Sequence, residues 1–204
     1  MKLILVDFDG VIVDTFKMSH GILSNMGSGS FSEDRYRQIF EENPYRAAEI
    51  QERLKGHLTS KSPFFEKYTE GLAKRTPIEG IRKCIEELAD IAPLAIVSST
   101  IDDAIELFLE QSDLRHFFQK IYGVNSEKSK VKKIQQALED FQAAPEDVVF
   151  ITDTLGDIRE AEKAGVQSVA VTWGYHDAKT LQDGNPIAIV NAPKDLVPAI
   201  RNLA

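Results

Sequence analysis

The chain carries a single cysteine, Cys84, among 204 residues. An internal disulfide is therefore excluded, and so is a zinc site built on cysteines. Cys84 shares a helical stripe with Ile81, Ile85 and Leu88, which makes it a core residue rather than a catalytic thiol. Long apolar runs are missing too. Nothing approaches the roughly 20 apolar residues of a membrane span. The first apolar run is too short for a signal peptide and meets Asp7 at once. Positive charge is in deficit: 24 Lys and Arg stand against 32 Asp and Glu, a net charge of -8. That balance argues against nucleic acid and anionic membranes as partners. It leaves an anionic small molecule open, because local charge decides there. The expectation is a soluble cytoplasmic protein, monomer or homodimer. Repeats are absent, and the only biased stretch is the short Gly/Ser loop after Asn25.

What is present is ordinary in bulk and unusual in one place. Hydrophobic residues at 43% and charged residues at 27% suit one globular domain, or a domain with a small insert. The unusual place is Leu3-Ile4-Leu5-Val6-Asp7-Phe8-Asp9-Gly10-Val11. Four apolar residues read as a buried parallel strand, and two carboxylates follow at its carboxyl end. Open α/β sheets bind ligands at that end. Two carboxylates held about 4 Å apart repel by roughly 4 kcal/mol at an effective dielectric of about 20. A cation or a shared proton relieves that repulsion, and either remedy is chemically useful.

Residues 16–75 form a polar block that is helical in pattern and lacks a buried strand. Asn43-Pro44 and Ser62-Pro63 each read as an N-cap followed by proline at the first helical position. Four short helices are expected there, with breaks near 26–32, 43 and 59–62. From Pro77 the pattern alternates. Helices are expected near 79–91, 101–111, 156–164 and 194–202, with a further helical face marked by Val131, Ile134, Leu138 and Phe141. Strands are expected at 94–97, near 119–122, at 148–151, at 168–172 and at 187–190. Gly165 reads as the glycine that ends a helix. This alternation predicts an α/β fold, a doubly wound parallel sheet, with an all-helical insert after strand one. The boundaries are 1–15 and 76–204 for the core and 16–75 for the insert.

Three of the apolar strands end in reactive groups: Asp7 and Asp9, then Ser98 and Ser99, then Asp153 with Asp157 four residues on. In a parallel sheet those ends share one edge. Asp7-Phe8-Asp9-Gly10-Val11, the strand-ending Ser98, a lysine before a helix and Asp153-Thr154-Leu155-Gly156-Asp157 come in that order. The pattern resembles the haloacid dehalogenase superfamily, in its phosphatase branch with a helical C1 cap, phosphoglycolate phosphatase-like. The resemblance covers essentially the whole chain, and it gives the core a Rossmann-like form.

What the resemblance implies is specific. Asp7 would be the nucleophile that forms an aspartyl-phosphate, and Asp9 the general acid and base. Mg²⁺ would be held by Asp7, the Asp9 backbone carbonyl, Asp153 and waters, with Asp157 in support. Ser98, the Ser99 amide, amides near Asp9 and Gly10, and the motif lysine would hold phosphoryl oxygens. Lys130 is favoured as that lysine over Lys128, because it precedes the apolar pattern by the spacing of the family's proline-free form. Lys132 and Lys133 read as a solvated helix face. Thr152 stands where the family often has glycine. The substrate would be a small phosphorylated metabolite, and the presence of Asp9 favours phosphoryl transfer over dehalogenation. A phosphomutase, a phosphonate hydrolase with a cap lysine, and a non-catalytic relative are the other readings. Asp14 reads as a hinge or helix-start residue next to Thr15, and His20 as an exposed helical histidine. His57, Lys55, Arg35 and Arg37 are candidate specificity residues of the insert. Trp173, Tyr175 and His176 could rim the pocket, although core packing explains Trp173 equally well.

Overall fold

The computed structural model describes residues 1–27, 30–55, 59, 61–125 and 127–203. Its strands are β1 (Leu3–Val6), β2 (Leu94–Val97), β3 (Phe118–Tyr122), β4 (Val148–Thr152), β5 (Gln167–Val171) and β6 (Ala188–Val190). They form one parallel sheet in the order β3-β2-β1-β4-β5-β6. β1 is flanked by β2 and β4, so the direction of winding reverses there. In such sheets the crevice beyond the strand ends at the reversal is where ligands bind. The apolar runs at β1, β2 and β4 become central strands because both faces are covered. All residues of these three strands are buried.

The helices are α1 (Phe16–Ser24), α2 (Glu33–Ile39), α3 (Ala48–Leu54), α4 (Pro63–Leu72), α5 (Ile81–Ala89), α6 (Asp102–Gln111), α7 (Lys130–Asp140), α8 (Leu155–Lys163), α9 (Ala178–Gln182) and α10 (Leu196–Arg201). Alternate strand residues face opposite layers. Leu3, Leu5, Ala95, Val97 and Phe150 pack with Ile134 and Ala137 of α7 and Ala161 of α8. Ile4, Val6, Ile96, Val149 and Ile151 pack with α5, α6 and α10. Cys84 is buried in this second layer, as the stripe requires. The short helix α9 was not expected. Asp177 caps it, accepting from the Thr180 amide at 2.8 Å, and that Asp-x-x-Thr pattern was its one sequence signal.

Helices α1 to α4 come between β1 and α5, as the polar block predicts. Asn43 and Ser62 both cap, accepting from the amides of Tyr45 at 3.0 Å and Phe65 at 3.4 Å. The turn after Asn43 is 3₁₀ (Pro44–Arg46) before α3 begins. The helical segment lies directly on the carboxyl edge of the sheet. Gly156 donates its amide to the Phe40 carbonyl at 2.9 Å, and a Cβ at Gly156 would fall 2.6 Å from the Glu42 carbonyl oxygen. Arg159 donates to the Glu41 carbonyl at 2.8 Å and pairs with Glu42 at 2.9 Å. Asn43 reaches the Lys128 carbonyl and Glu160.

Candidate active site

The parallel register places the β1, β2 and β4 ends level. Val6 lies beside both Ile96 and Ile151, so Asp7 leaves the sheet within one residue of Ser98 and Asp153. Past β1 the chain makes one tight turn in which the Ile12 amide returns to the Phe8 carbonyl at 3.0 Å. Phe8, Val11, Ile12 and Val13 bury themselves in this turn. That burial anchors the turn and leaves Asp7 and Asp9 pointing at the crevice.

Asp7 is buried. One carboxylate oxygen accepts from the Phe8 amide at 2.8 Å, and the other faces the Lys130 ammonium at 2.8 Å. Lys130 also pairs with Asp157 at 2.6 Å, and Asp157 accepts from the Thr152 hydroxyl at 2.8 Å. Burial alone would lower the lysine's pKa, but Asp157 and Asp7 outweigh it and hold the ammonium charged. Burial pushes the Asp7 carboxyl well above its ordinary value despite Lys130, with Asp157 and Asp153 adding to the rise. Asp157 is held low, because Lys130 and its hydrogen bonds overcome the cost of burial. Lys128 is exposed and distant from this cluster in function: its carbonyl, not its ammonium, is used by Asn43.

Lys133 corrects the sequence reading. It is not on a solvated face but 1% exposed, and its ammonium donates to the Ser98 carbonyl. Burial, helped by the charge of Lys130, depresses its pKa to about 7. Glu160 is a second residue missed. It accepts from the Lys130 amide at 3.1 Å and from Ser129 at 3.3 Å, and so fastens the lysine loop to α8.

Asp9 is gripped by three hydroxyls. Thr15 donates at 2.5 Å, Thr100 at 2.7 Å, and Tyr68 of α4 donates across from the helical segment. Neither Thr100 nor Tyr68 was singled out as a site residue. Thr100 could have been found from its place just past Ser98 and Ser99; Tyr68 is 59 residues away in the chain and carried no such signal. Ser98 itself is fully buried, with its hydroxyl turned back to accept from the Thr100 amide at 3.0 Å. Ser99 and Thr100, rather than Ser98, line the cavity.

Gly10 also departs from expectation. Its amide donates to the Val13 carbonyl at 2.8 Å, so it is not free to hold a phosphoryl oxygen. Its φ of +74° is one that side chains rarely adopt, and a Cβ there would come 1.9 Å from an Asp153 oxygen. Gly174 approaches the same carboxylate from the other side, where a Cβ would fall at 2.2 Å. Asp153 is thus wedged between two bare backbones. One of its oxygens accepts from the Tyr175 amide at 2.6 Å; the other is buried with no hydrogen-bond partner. Burial raises its pKa to about 8. A buried carboxylate oxygen without a donor asks for a cation. Among the described residues no three His, Cys, Asp or Glu side chains form a metal cluster by themselves. The unpartnered Asp153 oxygen, within electrostatic reach of Asp7 and Asp9, fits an ion that takes few protein ligands and completes its shell with water and substrate oxygens.

A family model described as haloacid dehalogenase-like hydrolase matches residues 4–171. The chain belongs to the haloacid dehalogenase-like hydrolase family. A phosphoglycolate phosphatase of Synechococcus elongatus is 25% identical over all of this chain and 99% of its own length. A haloacid dehalogenase-like hydrolase from Streptococcus pneumoniae superposes with a TM-score of 0.78 at 23% identity, covering 98% of both chains. A predicted phosphoglycolate phosphatase from Haemophilus somnus gives 0.75 at 20% identity over 98% of both. Like these relatives, this hydrolase has the doubly wound α/β fold, and among its described residues no helix is long and apolar enough to cross a membrane.

The remaining candidates fall into place around this hydrolase's crevice. Tyr175 lines the cavity, and its hydroxyl pairs with Thr15 and Ser19. His176 accepts from the Leu155 amide at 3.0 Å through Nδ1 and donates to the Arg37 carbonyl at 2.9 Å through Nε2. It therefore braces α8 against the helical segment, and burial lowers its pKa. Trp173 donates to the Val11 carbonyl at 3.3 Å and packs against the core. His20 is not exposed as expected: it is half-buried, stacks on Phe16 and donates to the Phe31 carbonyl at 2.6 Å. Asp14 is exposed and accepts from the Phe16 amide at 3.2 Å, at the start of α1. Arg35 pairs with Glu49 on the surface, Lys55 is exposed, and Arg37 stacks over Phe16 at 3.9 Å. None of these three lines the cavity. His57 lies outside the described residues.

Proposed function

We propose that this hydrolase is a Mg²⁺-dependent phosphatase that cleaves a small phosphorylated metabolite through an aspartyl-phosphate on Asp7. The observation that carries the proposal is the buried Lys130 ammonium bound to Asp7 at the sheet's reversal point, on a cavity that the hydroxyl-held Asp9 also lines. A carboxylate and a fixed cation side by side suit a nucleophile whose target carries phosphoryl oxygens.

In the first step an Asp7 oxygen attacks phosphorus. The new P–O bond forms as the bond to the leaving oxygen breaks, and Asp9 gives that oxygen its proton. In the second, water attacks the aspartyl-phosphate, Asp9 accepts the water's proton, and Asp7 and inorganic phosphate are released. Lys130 with the Ser98–Thr100 loop is assigned to the phosphoryl oxygens, with Lys130 in the role for which Lys128 was the alternative. Lys133 holds that loop through the Ser98 carbonyl. Asp7, the Asp9 carbonyl and Asp153 would hold the Mg²⁺, with Asp157 supporting; the unpartnered Asp153 oxygen supports this. When bound, Mg²⁺ offsets the mutual repulsion of these acids and of the phosphoryl oxygens.

The helical segment 16–75 is assigned as a cap on a core of 1–15 and 76–204, working in the cytoplasm as a monomer or homodimer. Tyr68 on Asp9 and Tyr45 on the Ser99 carbonyl support a cap that shuts out water while the chemistry proceeds. Every lysine of this segment among the described residues is exposed, which weighs against a Schiff-base phosphonate hydrolase. The test is Asp7→Asn assayed for Mg²⁺-dependent phosphate release from p-nitrophenyl phosphate. Turnover is lost while the circular dichroism spectrum stays unchanged; near-normal turnover would refute the nucleophile.

A further inference from the structure

The cavity between Asp7 and the helical segment has a lining unlike that of a site for polar metabolites. It is small, about 70 Å³. Its far wall is made by Leu23, Phe40, Ile50, Leu54, Phe64 and Phe65. Among the described residues Lys130 is the only cation that lines it, and that ammonium is already bound by Asp7 and Asp157. The tyrosines of the wall do not make up the deficit. Tyr45 donates to the Ser99 carbonyl, Tyr68 to Asp9, Tyr36 bonds with Ser19 and Tyr175, and the Tyr175 hydroxyl also pairs with Thr15 and Ser19. The nearby guanidiniums are turned to other work. Arg37 donates to the Tyr175 carbonyl while stacking on Phe16, and Arg53 donates to the carbonyls of Leu23 and Glu49.

Resting on the phosphatase reading above, we infer that the organic part of the substrate is uncharged and apolar: a small alkyl or arylalkyl phosphate monoester. A second anionic group, such as the carboxylate of phosphoglycolate, would enter this wall without a counter-charge and lose its hydration. The hydroxyls of a sugar phosphate would meet aliphatic and aromatic carbon and leave their hydrogen bonds unmade. An apolar chain gains from the same surface. The fold is shared with relatives named for phosphoglycolate; the wall is what separates this chain from that substrate.

The test compares kcat/KM, with Mg²⁺, on four phosphates of alkyl alcohols: benzyl phosphate, isopentyl phosphate, 2-phosphoglycolate and ribose 5-phosphate. p-Nitrophenyl phosphate serves as the control for phosphatase chemistry itself. The expected result is that both apolar esters exceed both polar ones by at least tenfold. A smaller ratio or the reverse order, with p-nitrophenyl phosphate hydrolysed, overturns the inference and leaves the phosphatase reading standing. No hydrolysis of any of the five overturns both. Phe64→Arg, at a wall residue that keeps 8% exposure, should raise the ratio of phosphoglycolate to benzyl phosphate turnover at least tenfold. A folded variant with an unchanged ratio counts against the inference, and if the variant does not fold the wild-type ranking decides alone.

Discussion

Replacing Lys133 by methionine gives a stability change whose dependence on pH can be worked out in advance. Lys133 is 1% exposed and its pKa falls from the ordinary 10.5 to about 7 in the folded protein. Because the folded value is depressed, the unfolded chain binds more protons between those two values, and stability from this group rises with pH across that window. It is fully present above the unfolded pKa and is lost as pH falls through the folded one. At about pH 7 the penalty for burying this amine is about 4 kcal/mol, and at about pH 9 it has fallen to about 2 kcal/mol. Methionine removes the penalty at every pH. It also leaves the Ser98 carbonyl without its donor, at a cost of about 1–3 kcal/mol that does not vary with pH. Lys133→Met should therefore be more stable than wild type at neutral pH and lose about 2 kcal/mol of that advantage by about pH 9. Urea unfolding followed by circular dichroism at both pH values measures it. The difference between the two proteins is the quantity to read. Asp153, raised to about 8, and Asp7, also raised, titrate in the opposite sense in both proteins and cancel in that difference. A difference that is flat with pH would refute the depressed amine. A difference within about 0.5 kcal/mol at both values would restore the solvated-face reading.

Other substitutions probe the site directly. Lys130→Ala should lower kcat/KM by about a hundredfold or more, and cost about 3 kcal/mol of stability by stranding Asp7 and Asp157. Lys128→Ala should change neither beyond about twofold in rate and about 0.5 kcal/mol; the reverse ranking would reassign the lysine. Asp9→Ala should impair hydrolysis of an alkyl phosphate far more than of p-nitrophenyl phosphate, because the aryl leaving group needs no proton; equal loss would remove the general-acid role. Gly10→Ala should cost about 2–4 kcal/mol, from its φ of +74° and the Cβ aimed at Asp153. Full Mg²⁺-dependent activity in that variant would show that Asp153 does not need its present position.

The legible parts of this protein were those with a local cause. β1, β2 and β4 read as strands because each is a short apolar run buried on both faces, and Asp7, Asp9 and Asp153 stood out because they end those runs. Asn43-Pro44 and Ser62-Pro63 marked turns by their own backbone chemistry. The illegible parts depend on which surfaces meet. In the lysine-rich stretch at 128–133, residue type alone cannot say which ammonium faces the sheet. The α7 docking turns Lys130 and Lys133, three residues apart on one helical face, toward the β1 and β2 ends. The charged residues of the insert stand out in its sequence, yet among the described residues none of them lines the cavity; the aliphatic and aromatic residues that line it look in sequence like any small core.

The sequence by itself determined the scaffold and which polar groups stand at its carboxyl edge. A buried strand must end in polar groups as it reaches solvent, and a parallel sheet brings such ends to one edge. Only the tertiary structure decided which donors complete those groups. Tyr68 reaches Asp9 from the insert, Gly10 and Gly174 close on Asp153, and Lys133 is stripped of water. Each of these is a contact between segments far apart in the chain. Hydrogen bonding and desolvation depend on distance in space, and no spacing along the chain encodes it.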